Sequence, residues 1–294
     1  MLSAQLDHWL ARYTQHRAKH PPNLPGTVWI TTPVGRLRVL DTQSSGPCIV
    51  LTPDGPNVIE HYLPLLAHLA SDYRVVCFDM PGFGLSLPAP SYSHSLNDGA
   101  HAVLHVLDAL HIARATLAFS CANGFYALRV AQQAPHRVHS LFLSQTPSLT
   151  AMHAWAQRTV PRVIGLPLVG QFAGWALRRR AAHAWYRAAL PAHADPGPMR
   201  QQARHAFACG ACFSLAGVVQ ALMRESNASL TRVQQPCTAL WGSADRTHLA
   251  TSAQSLQDLV PHASIVIASN CGHFPDVEQP QRYANLLRQH LRTC

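Results

Sequence analysis

The feature that most constrains this chain is an alternation of two textures. Short apolar runs rich in β-branched residues lie between longer stretches where apolar residues return at helical spacing. Strand-length runs occur at 28–39, 48–52 and 74–78, and again at 115–119, 138–143, 237–241 and 263–267. Between them, 58–70 and 97–110 carry the helical period, the latter through Val103, Leu104, Val106, Leu107 and Leu110. A strand that hands over to a helix cannot turn back as a hairpin. Its crossover returns the chain parallel to the first strand and leaves a helix on the sheet face. The alternation therefore predicts an α/β fold on a doubly wound, mostly parallel sheet.

Between 144 and 235 the rhythm changes. Strand-like runs vanish, and helical patches occupy 152–160, 167–190 and 198–224. A helical insertion of that length is too long to be a simple crossover, so it reads as a cap. The expected division is a core of 1–143 and 236–294, interrupted by a helical cap at 144–235. Trp155, Phe172, Trp175, Trp185, Tyr186, Phe207 and Phe213 give that cap apolar surface for its own core or for a pocket. At the N-terminus, Leu2, Leu6, Trp9, Leu10 and Tyr13 fall at helical spacing and predict an amphipathic helix. Pro21-Pro22 and Pro25-Gly26 predict a break after it.

Composition narrows the function. Hydrophobic residues make up 48% of the chain, ample for a large core, yet no run approaches the roughly 18–20 apolar residues of a membrane span. Asp7 and its polar neighbours interrupt any signal-peptide stretch. A cytoplasmic protein without a membrane span is expected. The net charge of +9 comes from scattered arginines, with Arg178-Arg179-Arg180 the densest run. No stripe of basic and aromatic residues is interleaved as nucleic-acid binding requires, so no nucleic-acid partner is expected. The eight cysteines lie mostly within apolar runs, which suits reduced, buried thiols. Cys209 and Cys212 have metal-like spacing but no second pair to complete four ligands. No metal or cofactor is expected.

Five segments carry the chemistry. Pro53-Asp54-Gly55-Pro56 and Asp79-Met80-Pro81-Gly82-Phe83-Gly84-Leu85-Ser86 each follow a strand. Phe119-Ser120-Cys121-Ala122-Asn123-Gly124 sits at a strand-to-helix turn. Trp241-Gly242-Ser243-Ala244-Asp245 and Cys271-Gly272-His273-Phe274-Pro275 close the series. Together they resemble the capped α/β-hydrolases, the esterase, lactonase and proline-iminopeptidase type, over about residues 28 to 292 outside the cap. The resemblance implies a nucleophile elbow, a tight turn that lifts one side chain clear of the sheet.

Two residues compete for that position. Ser120 at the centre gives the small flanks Ala118 and Ala122; Cys121 gives Phe119 and Asn123. The family register has a glycine three residues on and a proline fourteen residues on, which from Cys121 are Gly124 and Pro135. Register favours Cys121, with Ser120 the alternative nucleophile. The resemblance further implies His273 as general base and Asp245 as the acid that orients it. The corresponding acid position after residue 143 reads Ser144-Gln145-Thr146 and has no carboxylate. The Gly55 and Ala122 N–H groups are the implied oxyanion donors, and Asp54 in place of the usual His-Gly pair reads as a turn cap. Asp79, Gly82 and Gly84 read as a structural turn.

The implied reaction is hydrolysis of an ester, thioester or lactone of a small, apolar acyl compound through a covalent acyl-enzyme. A thiolate is nucleophilic enough for the role. Acyl transfer, a non-hydrolytic lyase or cyclase, and a ligand-binding pseudoenzyme remain alternatives on the same residues.

Overall fold

The computed structural model describes residues 1–18 and 24–294; the break expected at Pro21-Pro22 lies outside the described residues. The sheet contains β1 (Thr27–Thr32), β2 (Gly35–Asp41), β3 (Cys48–Thr52), β4 (Arg74–Phe78), β5 (Ala115–Ser120), β6 (Val138–Ser144), β7 (Cys237–Gly242) and β8 (Ser264–Ala268). Their spatial order is β1-β2-β4-β3-β5-β6-β7-β8. Pairing is parallel from β4 through β8 and antiparallel at β1–β2 and β2–β4. The expected doubly wound, mostly parallel sheet is present.

The 28–39 run differs from expectation: it is a hairpin of β1 and β2, not one strand. Gly35 closes the turn at φ +143°, where an added Cβ would lie 2.2 Å from the Leu87 carbonyl oxygen. That conformation and that approach both demand glycine.

Period-two alternation divides the strand side chains between two cores. Val50, Val76, Phe78, Leu117 and Phe119 face α3 (Leu96–Ala109) and α4 (Ala122–Gln133). Ile49, Leu51, Val75, Cys77 and Ala118 face α2 (Ile59–Leu69) and a C-terminal helix, Pro280–Arg292. A strand buried on both faces reads as an unbroken apolar run, as β5 does.

Between β6 and β7 lie α5 (Leu149–Thr159), α6 (Val169–Ala189), α7 (Gly197–Ala208) and α8 (Leu215–Arg224). A two-residue strand, Cys212–Phe213, ties this segment to Phe83–Gly84 of the core. The N-terminal helix α1 (Leu2–His16) also packs here, but of the expected stripe only Leu10 is buried and Leu6 half-buried. It buries Ala4, Asp7, Leu10, Ala11 and Thr14, while Leu2, Trp9 and Tyr13 are exposed. Small residues let α1 approach closely, and Thr14 Oγ1 accepts a 2.7 Å bond from Trp175 Nε1 of α6. Among the described residues, no helix is long and apolar enough to cross a membrane.

Candidate active site

Residue 121 stands where β5 ends and α4 begins, at φ 52° and ψ −124°. A residue with a Cβ rarely adopts such angles, and the surroundings over-determine them. The Cys121 N–H donates to the Ser144 carbonyl at 2.8 Å, and the Cys121 carbonyl accepts from Gly124 N–H and from Thr146 Oγ1. Gly124 lets the helix approach that threonine, since a Cβ there would fall 2.2 Å from Thr146 Oγ1. Asn123, bulky for an elbow flank, has a use: its Nδ2 donates to the Pro53 carbonyl at 3.1 Å and ties α4 to the 53–56 loop.

The turn separates the two nucleophile candidates. Ser120 Oγ donates to Asp276 Oδ2 at 2.9 Å, and the same carboxylate accepts from the Tyr62 hydroxyl at 2.7 Å. Cys121 Sγ lies with nitrogens of His248 and His273 in a group whose ligand atoms are all within 4.8 Å of one another. The thiol meets the imidazole; the hydroxyl meets a buried carboxylate.

His273 follows β8, and its position is fixed from both ring nitrogens. Nδ1 lies 2.7 Å from Asp245 Oδ2, and Nε2 lies 3.2 Å from Asp54 Oδ2. Asp245 follows β7 and is held in turn. Gln145 Nε2 donates to its Oδ2 at 2.5 Å, while the Thr247 N–H and Oγ1 donate to its Oδ1 at 2.8 and 2.7 Å. Gln145 is anchored by accepting from the Gly242 N–H at 3.0 Å. The position that lacks a carboxylate thus supplies an amide that orients one.

Aromatic rings enclose the imidazole. His248 stacks on His273 at 5.2 Å between centroids and 11° between planes. Trp155 stacks on the far side of His248 at 5.0 Å, and Trp185 meets His273 edge-on. Both tryptophans come from the helical segment. Cys121, Asp245, His248 and His273 are all buried.

Burial and charge set the proton affinities. Burial opposes charge on His273, but the Asp245 carboxylate, with Cys121 and Asp54, holds its pKa well above the ordinary value. Burial alone would raise Asp245; the facing His273 brings it down to about 2 instead. Burial and then the Asp54 carboxylate push the Cys121 thiol up, while His273 pulls the other way. Asp54 is raised chiefly by burial, against the pull of His273. His248, desolvated and beside a charged ring, falls to about 3 and is neutral.

The structure therefore brings Cys121, His273 and Asp245 together and turns Ser120 away. Gly55 lies in the same loop as Asp54, beneath Phe83 and Phe213; the Ala122 N–H interacts with the Cys121 thiol. Asp54 departs from its reading as a turn cap: its carbonyl accepts from Asn57 N–H, but its carboxylate reaches the imidazole. Sequence reasoning missed His248 and Gln145. Asp54 and Gln145 stand in segments already singled out, so their positions were the available signal; His248 belongs to no recognisable pattern. Asp79 does hold a turn, accepting from the Ile59 and Leu85 N–H groups.

A profile of the alpha/beta hydrolase family matches residues 49–286. The chain is 23% identical to a 2-hydroxymuconate semialdehyde hydrolase of Pseudomonas sp. (strain CF600), over 87% of this chain and 90% of that protein. It is 24% identical to a pimeloyl-[acyl-carrier protein] methyl ester esterase of Shewanella sp. (strain MR-7), over 89% and 97%. A 34% identical match to a zearalenone hydrolase of Bionectria ochroleuca is confined to 99 residues, spanning 37% of that relative. Among solved structures, a putative epoxide hydrolase from Pseudomonas aeruginosa superposes with a TM-score of 0.74 at 18% identity, covering 93% of this chain and 98% of that one.

Proposed function

The chain belongs to the alpha/beta hydrolase family, and from that premise we propose that it hydrolyses an ester, thioester or lactone through a covalent intermediate on Cys121. The observation that carries this reading is the elbow: a strained residue at the head of α4 whose sulfur shares one small space with the His273 ring. Helices α5 to α8 act as the cap, at 144–235, over the core of 1–143 and 236–294. Their tryptophans and the buried setting favour a small, largely apolar acyl group.

The thiol proton leaves into the His273–Asp54 pair, and the charged imidazole stabilises the thiolate. Sulfur attacks the carbonyl carbon, and the N–H groups of Ala122 and Gly55 receive the oxyanion, each worth on the order of 3 kcal/mol in the transition state. Collapse breaks the bond to the leaving group, which recovers the proton from the pair. Water then gives a proton to the same pair, attacks the thioester and releases the acid, and the thiol is re-formed. Asp245 keeps its negative charge throughout and holds the ring in position.

The test is intact-mass analysis after incubation with a panel of activated esters and lactones. An acyl adduct is expected on the wild type and on Ser120→Ala, and none on Cys121→Ala. An adduct that persists in Cys121→Ala refutes the assignment.

Asp54 supports a second reading. A carboxylate on His273 Nε2 makes a two-residue proton relay, which suits a lyase or cyclase with Cys121 as a mere wall. In that case Cys121→Ala retains turnover while Asp54→Asn loses it.

A further inference from the structure

His248 takes no part in the chemistry above, and its condition is unusual. It is 2% exposed, and among the described residues neither ring nitrogen has a hydrogen-bond partner. A buried imidazole with two unmatched polar atoms carries a desolvation cost that native structures rarely tolerate without a role. Its nitrogens group with Cys121 Sγ and His273, all within 4.8 Å. A soft thiolate and two imidazoles are the donor set that zinc and its thiophilic relatives prefer.

We infer that Cys121, His248 and His273 form a binding site for a thiophilic divalent cation, with zinc the fitting ion, and that occupancy shuts the enzyme off. Bonds of about 2.0–2.1 Å to nitrogen and 2.3 Å to sulfur at tetrahedral angles put ligand atoms roughly 3.4–3.6 Å apart. From a spacing of at most 4.8 Å the ligand atoms need close by no more than about 1.4 Å. Because each imidazole lone pair lies in its ring plane, at least one of the near-parallel His248 and His273 rings must rotate out of the stack to face the ion. Three protein ligands leave one coordination position open for water or a carboxylate. The exchange balances: the cation displaces the thiol proton and the proton shared by His273 Nε2 and Asp54, and both go to solvent. His273 keeps its Nδ1 proton toward Asp245, the arrangement that orients a metal-bound imidazole. His248 arrives neutral and gives up nothing.

Binding needs only the three side chains. Inhibition rests in addition on the proposed nucleophile and base, because the cation holds both of their reacting atoms. Sequence spacing hides the site: residues 121, 248 and 273 follow three different strands, so no short ligand pattern exists.

The experiment titrates the metal-free protein with Co²⁺ alone and with Zn²⁺ alone, reading the cobalt–thiolate charge-transfer band and ester turnover in parallel. Cys209 and Cys294 lie near His205 and His290, so the background carries Cys209→Ala and Cys294→Ala. One equivalent of cobalt with a thiolate band is expected, displaced by zinc, with turnover lost in step. His248→Ala should weaken binding by at least the 10- to 100-fold that removal of an outer-shell partner costs, and Cys121→Ala should abolish the band. His248→Phe retains the stack without a donor, and should match His248→Ala in binding. A band that survives Cys121→Ala, or affinity unchanged in both His248 variants, overturns the site. Stoichiometric binding without loss of turnover overturns the inhibition and, since the site would still stand, points back at the nucleophile assignment.

Discussion

The backbone at residue 121 stores strain that can be measured apart from the chemistry. At φ 52° and ψ −124°, a residue with a Cβ carries on the order of 1–3 kcal/mol that glycine does not. Cys121→Ala removes the sulfur and keeps the strain; Cys121→Gly removes both. At an ordinary buried helical position, the step from alanine to glycine costs about 1 kcal/mol in backbone freedom and about 0.8 kcal/mol for the methyl group. Ala127, fully buried within α4, provides that reference. At 121 the same losses are offset by relief of the turn. The alanine-to-glycine step there should therefore be less destabilising than Ala127→Gly by about 1–3 kcal/mol. Urea unfolding of the three variants and the wild type at a common slope measures the difference. Equal losses at the two positions would mean that the turn is relaxed, and the elbow argument would fail with it.

Three further outcomes follow from single contacts. Ser120→Ala leaves Asp276 with one fewer donor and should cost about 1–3 kcal/mol of stability while turnover is retained; loss of turnover in a folded variant would return the nucleophile role to Ser120. Gln145→Leu removes the amide donor to Asp245 and should raise the activation barrier by about 1.5–3 kcal/mol, the worth of a hydrogen bond to a charged group; unchanged ester kinetics would contradict it. Asp7 is buried against the cap, and burial raises its carboxyl from 3.8 to about 7 despite Gln171. The folded state thus binds this proton more tightly than the unfolded chain, so stability falls as pH rises from 3.8 through about 7. Asp7→Asn should be more stable than wild type at about pH 8, by at most about 4 kcal/mol, and show no advantage at about pH 4. Thermal unfolding at both pH values decides, and a gap that fails to widen with pH counts against it.

The core was legible because its strands are buried on both faces. Runs such as Ala115–Ser120 announce themselves without help from tertiary contacts. Elements that depend on approach distance were less so. α1 was legible as a helix, but its packed face was not, because Ala4, Ala11 and Thr14 win the interface by being small while Trp9 and Tyr13 stay outside. The hairpin at 28–39 needed Gly35 and its contact with Leu87, which no periodicity encodes. In the site, the segments were readable and the pairings were not. Asp54, Gln145 and His248 reach His273 or its acid partner across 219, 100 and 25 residues of chain: Asp54 at the ring, Gln145 through Asp245, and His248 by stacking.

The two departures of this chain from its family's pattern make one physical sense together. An alcohol nucleophile needs a base free to take its proton, so an imidazole held charged from both sides would serve it poorly. Here Asp245 and Asp54 flank the two nitrogens of His273, and together they favour the charged ring. A charged ring is a poor base and a good counter-ion. A thiol, acidic by several units relative to an alcohol, profits from a counter-ion more than from a base, and the second carboxylate gives its proton a place to go. On the proposed mechanism, Asp54 beside the ring and cysteine at the elbow act as coupled substitutions. Cys121→Ser alone should leave an enzyme with the wrong partner for its hydroxyl, and pairing it with Asp54→Asn should restore part of the lost turnover. If the double variant is no better than Cys121→Ser, measured as ester hydrolysis across pH, the two positions act independently.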